Sequence, residues 1–257
     1  MSSQSLALRW QTLLSVTALA LAAVAFVGPA HADDTASVHH GEAAPDIVGG
    51  GTVTEPKPWI AALHNENGFT CTAAHIGAEW VVTAAHCLAL DRDYTVRIGS
   101  LSRSNGGTVI AVAEIHHHPQ YSWPDNDISL LRLSRPHHNT YAPMATAADV
   151  SLGQASTIYG WGSENLDWSG PLPEQLKYSD GHTTTDYCST PNVICMVGDG
   201  GVAGGDSGGP GFVASAVTGE YVLAGVCAIG HQPAGTRWGG YTSIPANADW
   251  INEITGL

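Results

Sequence analysis

Basic charge is what this 257-residue sequence has least of: nine Lys and Arg stand against 23 Asp and Glu, a formal net charge of −14. A nucleic-acid surface needs a basic stripe to neutralise phosphates, so that partner is excluded and the acidic balance reads as plain solubility. No C-x-x-C pair occurs, which disfavours thiolate zinc and dithiol redox sites. The sequence also lacks an N-x-[ST] acceptor, a phosphate loop, a low-complexity block and an internal repeat of fixed period. Only 12% of residues are charged, so a sizeable buried core is available and the chain reads as globular.

Long apolar runs are confined to the N-terminus. Arg9 precedes an apolar stretch over 13–27, followed by Gly28-Pro29-Ala30-His31-Ala32. A charged start, an apolar middle and an A-x-A site make residues 1–32 a secretory signal peptide cleaved after Ala32, with an uncleaved anchor as the alternative. Removal leaves no membrane segment and predicts a secreted, extracellular protein. Residues 33–46 are polar, rich in Ala and His, and read as a linker or propeptide.

Helical periodicity is missing until the C-terminal end, where Ala248, Trp250, Ile251 and Ile254 fall at helical spacing after Pro245. What recurs from Ile47 onward is short β-favouring runs, among them 81–83, 95–98, 108–115, 128–133, 156–159 and 221–229. Turn clusters such as Asn105-Gly106-Gly107 separate them. The pattern predicts an all-β chain of barrels or sandwiches closed by a C-terminal α-helix. The Ala- and Pro-rich stretch 142–154 marks the boundary between two β units, 47–150 and 151–257.

Chemistry concentrates in Gly204-Gly205-Asp206-Ser207-Gly208-Gly209-Pro210, which places one serine among glycines with its hydroxyl reachable. Backbone amides of such a turn can converge on a developing negative charge. The same residues also build ordinary turns, so the motif alone leaves both readings open. Upstream stand Thr83-Ala84-Ala85-His86-Cys87 and Asp125-Asn126-Asp127-Ile128-Ser129-Leu130-Leu131. In order these supply a base, an acid and a nucleophile. A serine hydroxyl needs an imidazole to take its proton, and the imidazole needs a carboxylate to fix its tautomer. Five cysteines, taken as two bridges and one orphan, allow fifteen pairings in an exported chain, and arithmetic does not choose among them.

From Ile47 to its end the chain resembles the trypsin and chymotrypsin family of serine proteases, in a bacterial-type precursor form. The resemblance rests on Ile47-Val48-Gly49-Gly50, Ala84-Ala85-His86-Cys87, Asp127-Ile128-Ser129-Leu130-Leu131, Gly160-Trp161-Gly162, Gly205 to Pro210 and Asp249-Trp250-Ile251. It implies two packed antiparallel β-barrels, with Ser207 as nucleophile, His86 as base and then acid, and Asp127 orienting His86. The amides of Gly205 and Ser207 would form an oxyanion hole. Cleavage before Ile47 would free an amine that pairs with Asp206, making residues 33–46 an activation peptide. The same resemblance pairs Cys71 with Cys87 and Cys188 with Cys195, leaving Cys227 as a buried free thiol. Partners are then polypeptide substrates and an unknown activating protease; no cofactor, no metal and no nucleic acid are expected, and the state is a monomer.

Several departures from the family stand out. The bond before Ile47 follows an acid, Asp46, where many relatives have a basic residue, so a basic-specific protease is not expected to cut it. Ala203 occupies a place where many relatives have half of a bracing disulfide, and Ala228 lacks the hydroxyl that relatives offer to the buried Asp. Gly201 stands where a trypsin-type carboxylate would wait, and Val202, Gly230 and Gly239 complete the substrate pocket. Glycine walls imply an open apolar slot and cleavage after large apolar or aromatic residues, with a basic preference through Asp199 as the alternative.

Two other readings compete. Gly205-Asp206-Ser207-Gly208-Gly209 also fits an esterase nucleophile elbow, with Glu220 and His231 following in the matching order, but strands alternating with helices are not visible. A protease-like fold that has lost turnover and serves as a binding module is the third, favoured by Ala228 and opposed by the intact His86, Asp127 and Ser207. The run His116-His117-His118 and the pair His137-His138 read as surface or loop residues, because neighbours on a strand point to opposite faces.

Overall fold

The computed structural model describes residues 47–257 apart from 189, 191, 235 and 236. The signal peptide and activation peptide expected over 1–46 lie outside the described residues. Among the described residues, thirteen strands, one short α-helix and short 3₁₀ turns account for the regular structure. Six of the strands, β2 (Ile60–Asn65), β3 (Gly68–Gly77), β4 (Trp80–Thr83), β5 (Thr95–Ile98), β6 (Thr108–His117) and β7 (Ser129–Leu133), close a barrel in the order β2-β3-β4-β7-β6-β5. The second barrel is built from β8 (Ala155–Gly160), β9 (Lys177–Thr184), β10 (Val193–Gly198), β11 (Pro210–Ala214), β12 (Tyr221–Gly230) and β13 (Trp238–Ser243). It closes where β8 pairs with β9, and every strand pair in both barrels is antiparallel. A short β1 (Gly51–Thr52) pairs with β9, so the segment that opens the described chain is stitched to the second barrel.

Strands β3, β4 and β7 of the first barrel carry buried apolar residues on both faces, for a reason that their neighbours reveal. Ala73, Val81 and Leu131 point into the barrel with Ile98 and Ile110, while Ala74, Val82 and Leu130 point outward against Phe212, Leu223 and Val226 of the second barrel. Alternate residues of one strand thus feed two different cores, and both must exclude water. The second barrel fills with Ile158, Met196, Val213, Ala224, Cys227 and Tyr241.

Pro245 opens a 3₁₀ turn, Pro245–Asn247, that runs into α1 (Ala248–Thr255). Gly256 ends the helix in the left-handed region, φ 72°, and its amide returns to the carbonyl of Asn252 at 2.8 Å. Ile251 packs with Trp250 and Ile254 into the core shared by the two barrels. Among the described residues no helix is long and apolar enough to cross a membrane.

Candidate active site

β4 leads directly into the 3₁₀ turn Ala85–Leu88, which carries His86. The turn is pinned to β3 by the disulfide Cys71–Cys87. Asp127 stands just before β7, after Asn126, whose φ of 49° lies in the left-handed region that Asn tolerates better than most residues. Asp127 is fully buried, and its carboxylate holds His86 twice: Oδ1 accepts the His86 backbone amide at 2.9 Å, and Oδ2 meets Nδ1 at 2.5 Å. A carboxylate at Nδ1 fixes the proton there and leaves Nε2 as the accepting nitrogen. No side chain other than His86 donates to that carboxylate among the described residues. The Thr242 hydroxyl donates instead to the Asp127 backbone carbonyl, at 3.1 Å.

Ser207 lies on the turn that precedes β11, and that turn is fastened on every side. Thr72 of β3 gives its amide to the Ser207 carbonyl at 2.9 Å and its hydroxyl to the Gly205 carbonyl at 3.0 Å. Gly208 and Gly209 exchange bonds of 2.8 Å with Cys227 of β12. Glycine is required here: Gly205 has φ 107° and Gly208 φ 75°, and a Cβ on Gly208 would strike the Thr83 hydroxyl and the Thr72 carbonyl. The amides of Gly205 and Ser207 make no hydrogen bond among the described residues, so both remain available to a ligand oxygen.

His86 and Ser207 line one cleft of about 350 Å³, bounded by Gly204, Ala228, Gly230 and two indoles, Trp123 and Trp168. No hydrogen bond joins the Ser207 hydroxyl to His86 Nε2, a looseness common in unliganded sites. Of the pocket residues named from sequence, Val202 and Gly230 line this cleft, while Gly201 and Gly239 do not. Val202 is buried, its methyls 2.6 Å from where a Cβ on Gly230 would lie and 2.9 Å from one on Gly239. The slot that glycine walls were expected to leave open is therefore floored by Val202. Gly201 has no room for a side chain, since a Cβ there would strike the Ala234 carbonyl. Asp199 is exposed and is not among the cleft residues, none of which is a carboxylate.

Asp206 sits behind the turn, fully enclosed. Its carboxylate accepts the Gly162 amide at 2.7 Å and the Ala203 amide at 2.9 Å. Burial pushes its carboxyl up to about 6, and the two amides pull it back only in part. A Cβ on Gly160 or Gly162 would collide with its oxygens, which accounts for Gly-Trp-Gly in that strand end. Ile47 is also fully buried, packed in the second barrel, with Gly50 donating to its carbonyl at 2.8 Å.

Cys188 is joined to Cys195, and Cys227 is free and buried. Burial pushes the Cys227 thiol well above its ordinary value. The histidine run divides as strand geometry demands: His116 approaches Glu114 at 3.2 Å, His117 meets the Ser129 hydroxyl at 2.8 Å, and His118 packs on Trp250. Among the described residues, the one group of three possible metal donors is Cys71, His86 and Cys87, whose sulfurs are bonded to each other. The tryptophans as a group read as core and groove residues, and nothing singled out Trp123 and Trp168 among them; the available signal was an aromatic set among turn formers, Trp123-Pro124-Asp125 and Asp167-Trp168-Ser169.

Comparison with known proteins places these features in company. Residues 47–251 match the family model described as Trypsin. The chain is 32% identical over 248 residues to transmembrane protease serine 11C of Mus musculus, covering 86% of this chain but only 55% of that protein's length. It is 32% identical over 225 residues to trypsin alpha-4 of Lucilia cuprina, covering 80% of this chain and 86% of that one. Among solved structures, neuropsin, a serine protease expressed in the limbic system of mouse brain, superposes with a TM-score of 0.69 at 28% identity, over 79% of this chain and 98% of that one.

Proposed function

The chain belongs to the trypsin family of serine proteases, and on that premise we propose that it is a secreted endopeptidase acting through an acyl-enzyme on Ser207. The observation that carries the reading is the double hold of Asp127 on His86, beside a glycine-framed Ser207 in the same cleft. In the reaction, Ser207 Oγ attacks the peptide carbonyl carbon while its proton passes to His86 Nε2. The Nδ1 proton stays hydrogen-bonded to Asp127, which stabilises the imidazolium. The amides of Gly205 and Ser207 stabilise the oxyanion. Nε2 then returns the proton to the leaving amine, the C–N bond breaks, and an ester to Ser207 remains. Water, deprotonated by the same imidazole, attacks that ester and releases the acid.

A fluorophosphonate should label Ser207, and His86→Ala should abolish labelling. An unlabelled chain, or a variant labelled as fast as the parent, would favour the binding-module alternative.

Activation follows from Asp206. A buried carboxylate without a cation is costly, and scission of Asp46-Ile47 would supply the Ile47 ammonium. Since Asp46 is acidic, trypsin-like treatment is expected to leave the precursor inactive; N-terminal sequencing from Ile47 with gained activity would contradict this. The amine's unperturbed pKa is about 7.7–8.0. Pairing raises it, so the activated state is held below that raised value and lost as pH rises through it. Export rests on the leader-like residues 1–32, and a monomer is expected.

For specificity, the reading is cleavage after large apolar or aromatic residues. An apolar Val202 floor and a lining without carboxylates support it over a basic preference. Chromogenic peptides differing only in Phe, Leu, Arg or Glu before the scissile bond test it, and dominant cleavage after Arg would overturn it.

A further inference from the structure

Trp168 stands in the loop between β8 and β9 and reaches into the cleft that holds Ser207. Four observations set this side chain apart. Its φ is 63°, in the left-handed region that bulky residues avoid. Its ring atom Cζ2 lies 3.3 Å from where a Cβ on Gly230 would be, so the indole edge rests on the glycine wall. It packs against the small buried cluster of Val48, Ala203 and Ala234. And its Nε1–H is buried with no hydrogen-bond partner.

The other tryptophans near the site are satisfied: Trp161 Nε1 donates to Leu101 at 3.1 Å, and Trp123 Nε1 donates to Ala228 at 3.3 Å. A buried donor without a partner is expensive, and a bulky residue in the left-handed region adds strain. The first penalty vanishes if the indole swings out to water, while the second stays with the backbone. The loop is tied to the segment after Gly230, not through the indole: Ala234 donates to the Leu166 carbonyl at 2.8 Å, and Gln232 donates to the Asp167 carbonyl. Side-chain motion therefore leaves the loop anchored.

We infer that Trp168 is a specificity-determining residue, a gate that occupies the primary cleft when no substrate is bound and is displaced by a large apolar side chain entering the cleft that Gly230 and Val202 line. A substrate with a small residue at that position fits without moving it. The inference rests on the endopeptidase reading, and it makes the closed population subtract from the apparent affinity for large side chains.

The test compares activated wild-type enzyme with Trp168→Gly, which removes both indole and backbone strain, on peptides differing only in Ala or Phe before the scissile bond. The gate predicts that KM for the Phe peptide falls about tenfold with kcat nearly unchanged, while the Ala peptide is unaffected. An equal change for both peptides, or a greater loss for Phe, overturns it and makes Trp168 a fixed wall. A second readout needs no turnover. In activated Ser207→Ala protein carrying 5-fluorotryptophan, the Trp168 resonance, identified by its loss in Trp168→Phe, should shift on adding a peptide ending in Phe and stay unmoved with one ending in Gly. A resonance that ignores both peptides overturns the gate. Absence of fluorophosphonate labelling in wild type would sink the protease reading alone, because the fluorine experiment still decides the gate.

Discussion

Each barrel buries one carboxylate next to the chemistry, and the two are treated in opposite ways. Asp127, supplied by the first barrel, is enclosed with an imidazole whose ring and backbone both satisfy it. Asp206, supplied by the second, is enclosed with two amides and no cation among the described residues, and burial lifts its carboxyl to about 6. The base-orienting half of the site is thus complete in the folded chain, while the half that shapes the serine turn carries an uncompensated group. Under the proposed activation, a new amino terminus would act on the second half and leave the first untouched.

The largest effect that would break this contrast is at Asp127. Asp127→Asn removes the tautomer control on His86, and kcat should drop about 10⁴-fold with the fold intact, as for Ser-His-Asp sites in general. Steady-state kinetics with circular dichroism checks it; a loss below tenfold would mean that His86 is oriented by something else.

Asp206 should behave in two ways. In activated enzyme, Asp206→Asn leaves the Ile47 ammonium buried and unpaired, and activity should fall about 10²–10³-fold, the scale of a broken buried pair. In the precursor no pair exists to break. There the folded-state carboxyl is raised from 3.8 to about 6, so its stabilising contribution is full below the unfolded value and disappears as pH rises through about 6. That slope is worth at most about 3 kcal/mol. Urea titrations of the precursor at pH 4 and pH 7 should reveal it in wild type, and Asp206→Asn should flatten it. A variant precursor with the wild-type slope would remove Asp206 from the argument.

The two disulfides sharpen the comparison at a smaller scale. Cys71–Cys87 spans a separation of 16 residues and Cys188–Cys195 one of 7. Chain entropy gives about 3 kcal/mol for the first and about 2 kcal/mol for the second. Replacing each pair by alanines should reproduce that order in denaturant midpoints. Only the first should also depress kcat, since it anchors the turn that carries His86.

How much of this was legible in the sequence follows the same division. The strands β4 to β8 and β12 announced themselves through β-branched runs, and α1 through its spacing after Pro245. β3 did not, because Thr72, Ala73, Ala74, His75 and Ile76 are all buried: one face serves the barrel and the other the partner barrel, so no alternation survives. β11 and β13 were hidden by glycines that exist for close approach, such as Gly211 against Met196 and Tyr241. Within the site, His86, Asp127 and Ser207 stood out as motif residues, and the structure gathers them. Val202 was named with the pocket residues, but its packing was hidden, because it fills space against Gly230 and Gly239, glycines distant in sequence. Trp168 was equally silent, since an indole in a turn has no periodicity to betray where it points.

The smallest effect belongs to Cys227, and its smallness is informative. The thiol lies 4% exposed in the core of the second barrel, and its backbone, not its sulfur, braces the serine turn through Gly208 and Gly209. Cys227→Ala keeps those backbone bonds and deletes one buried sulfur, so stability should drop by about 1 kcal/mol while kcat is preserved. Iodoacetamide should leave the native thiol unmodified, because burial raises its pKa and denies access, and should react after unfolding in guanidinium. Rapid alkylation of the native enzyme, or a tenfold loss of kcat in Cys227→Ala, would mean that the sulfur reaches the cleft it only borders in this structure. Either result would transfer to the side chain a role that the hydrogen bonds assign to the strand.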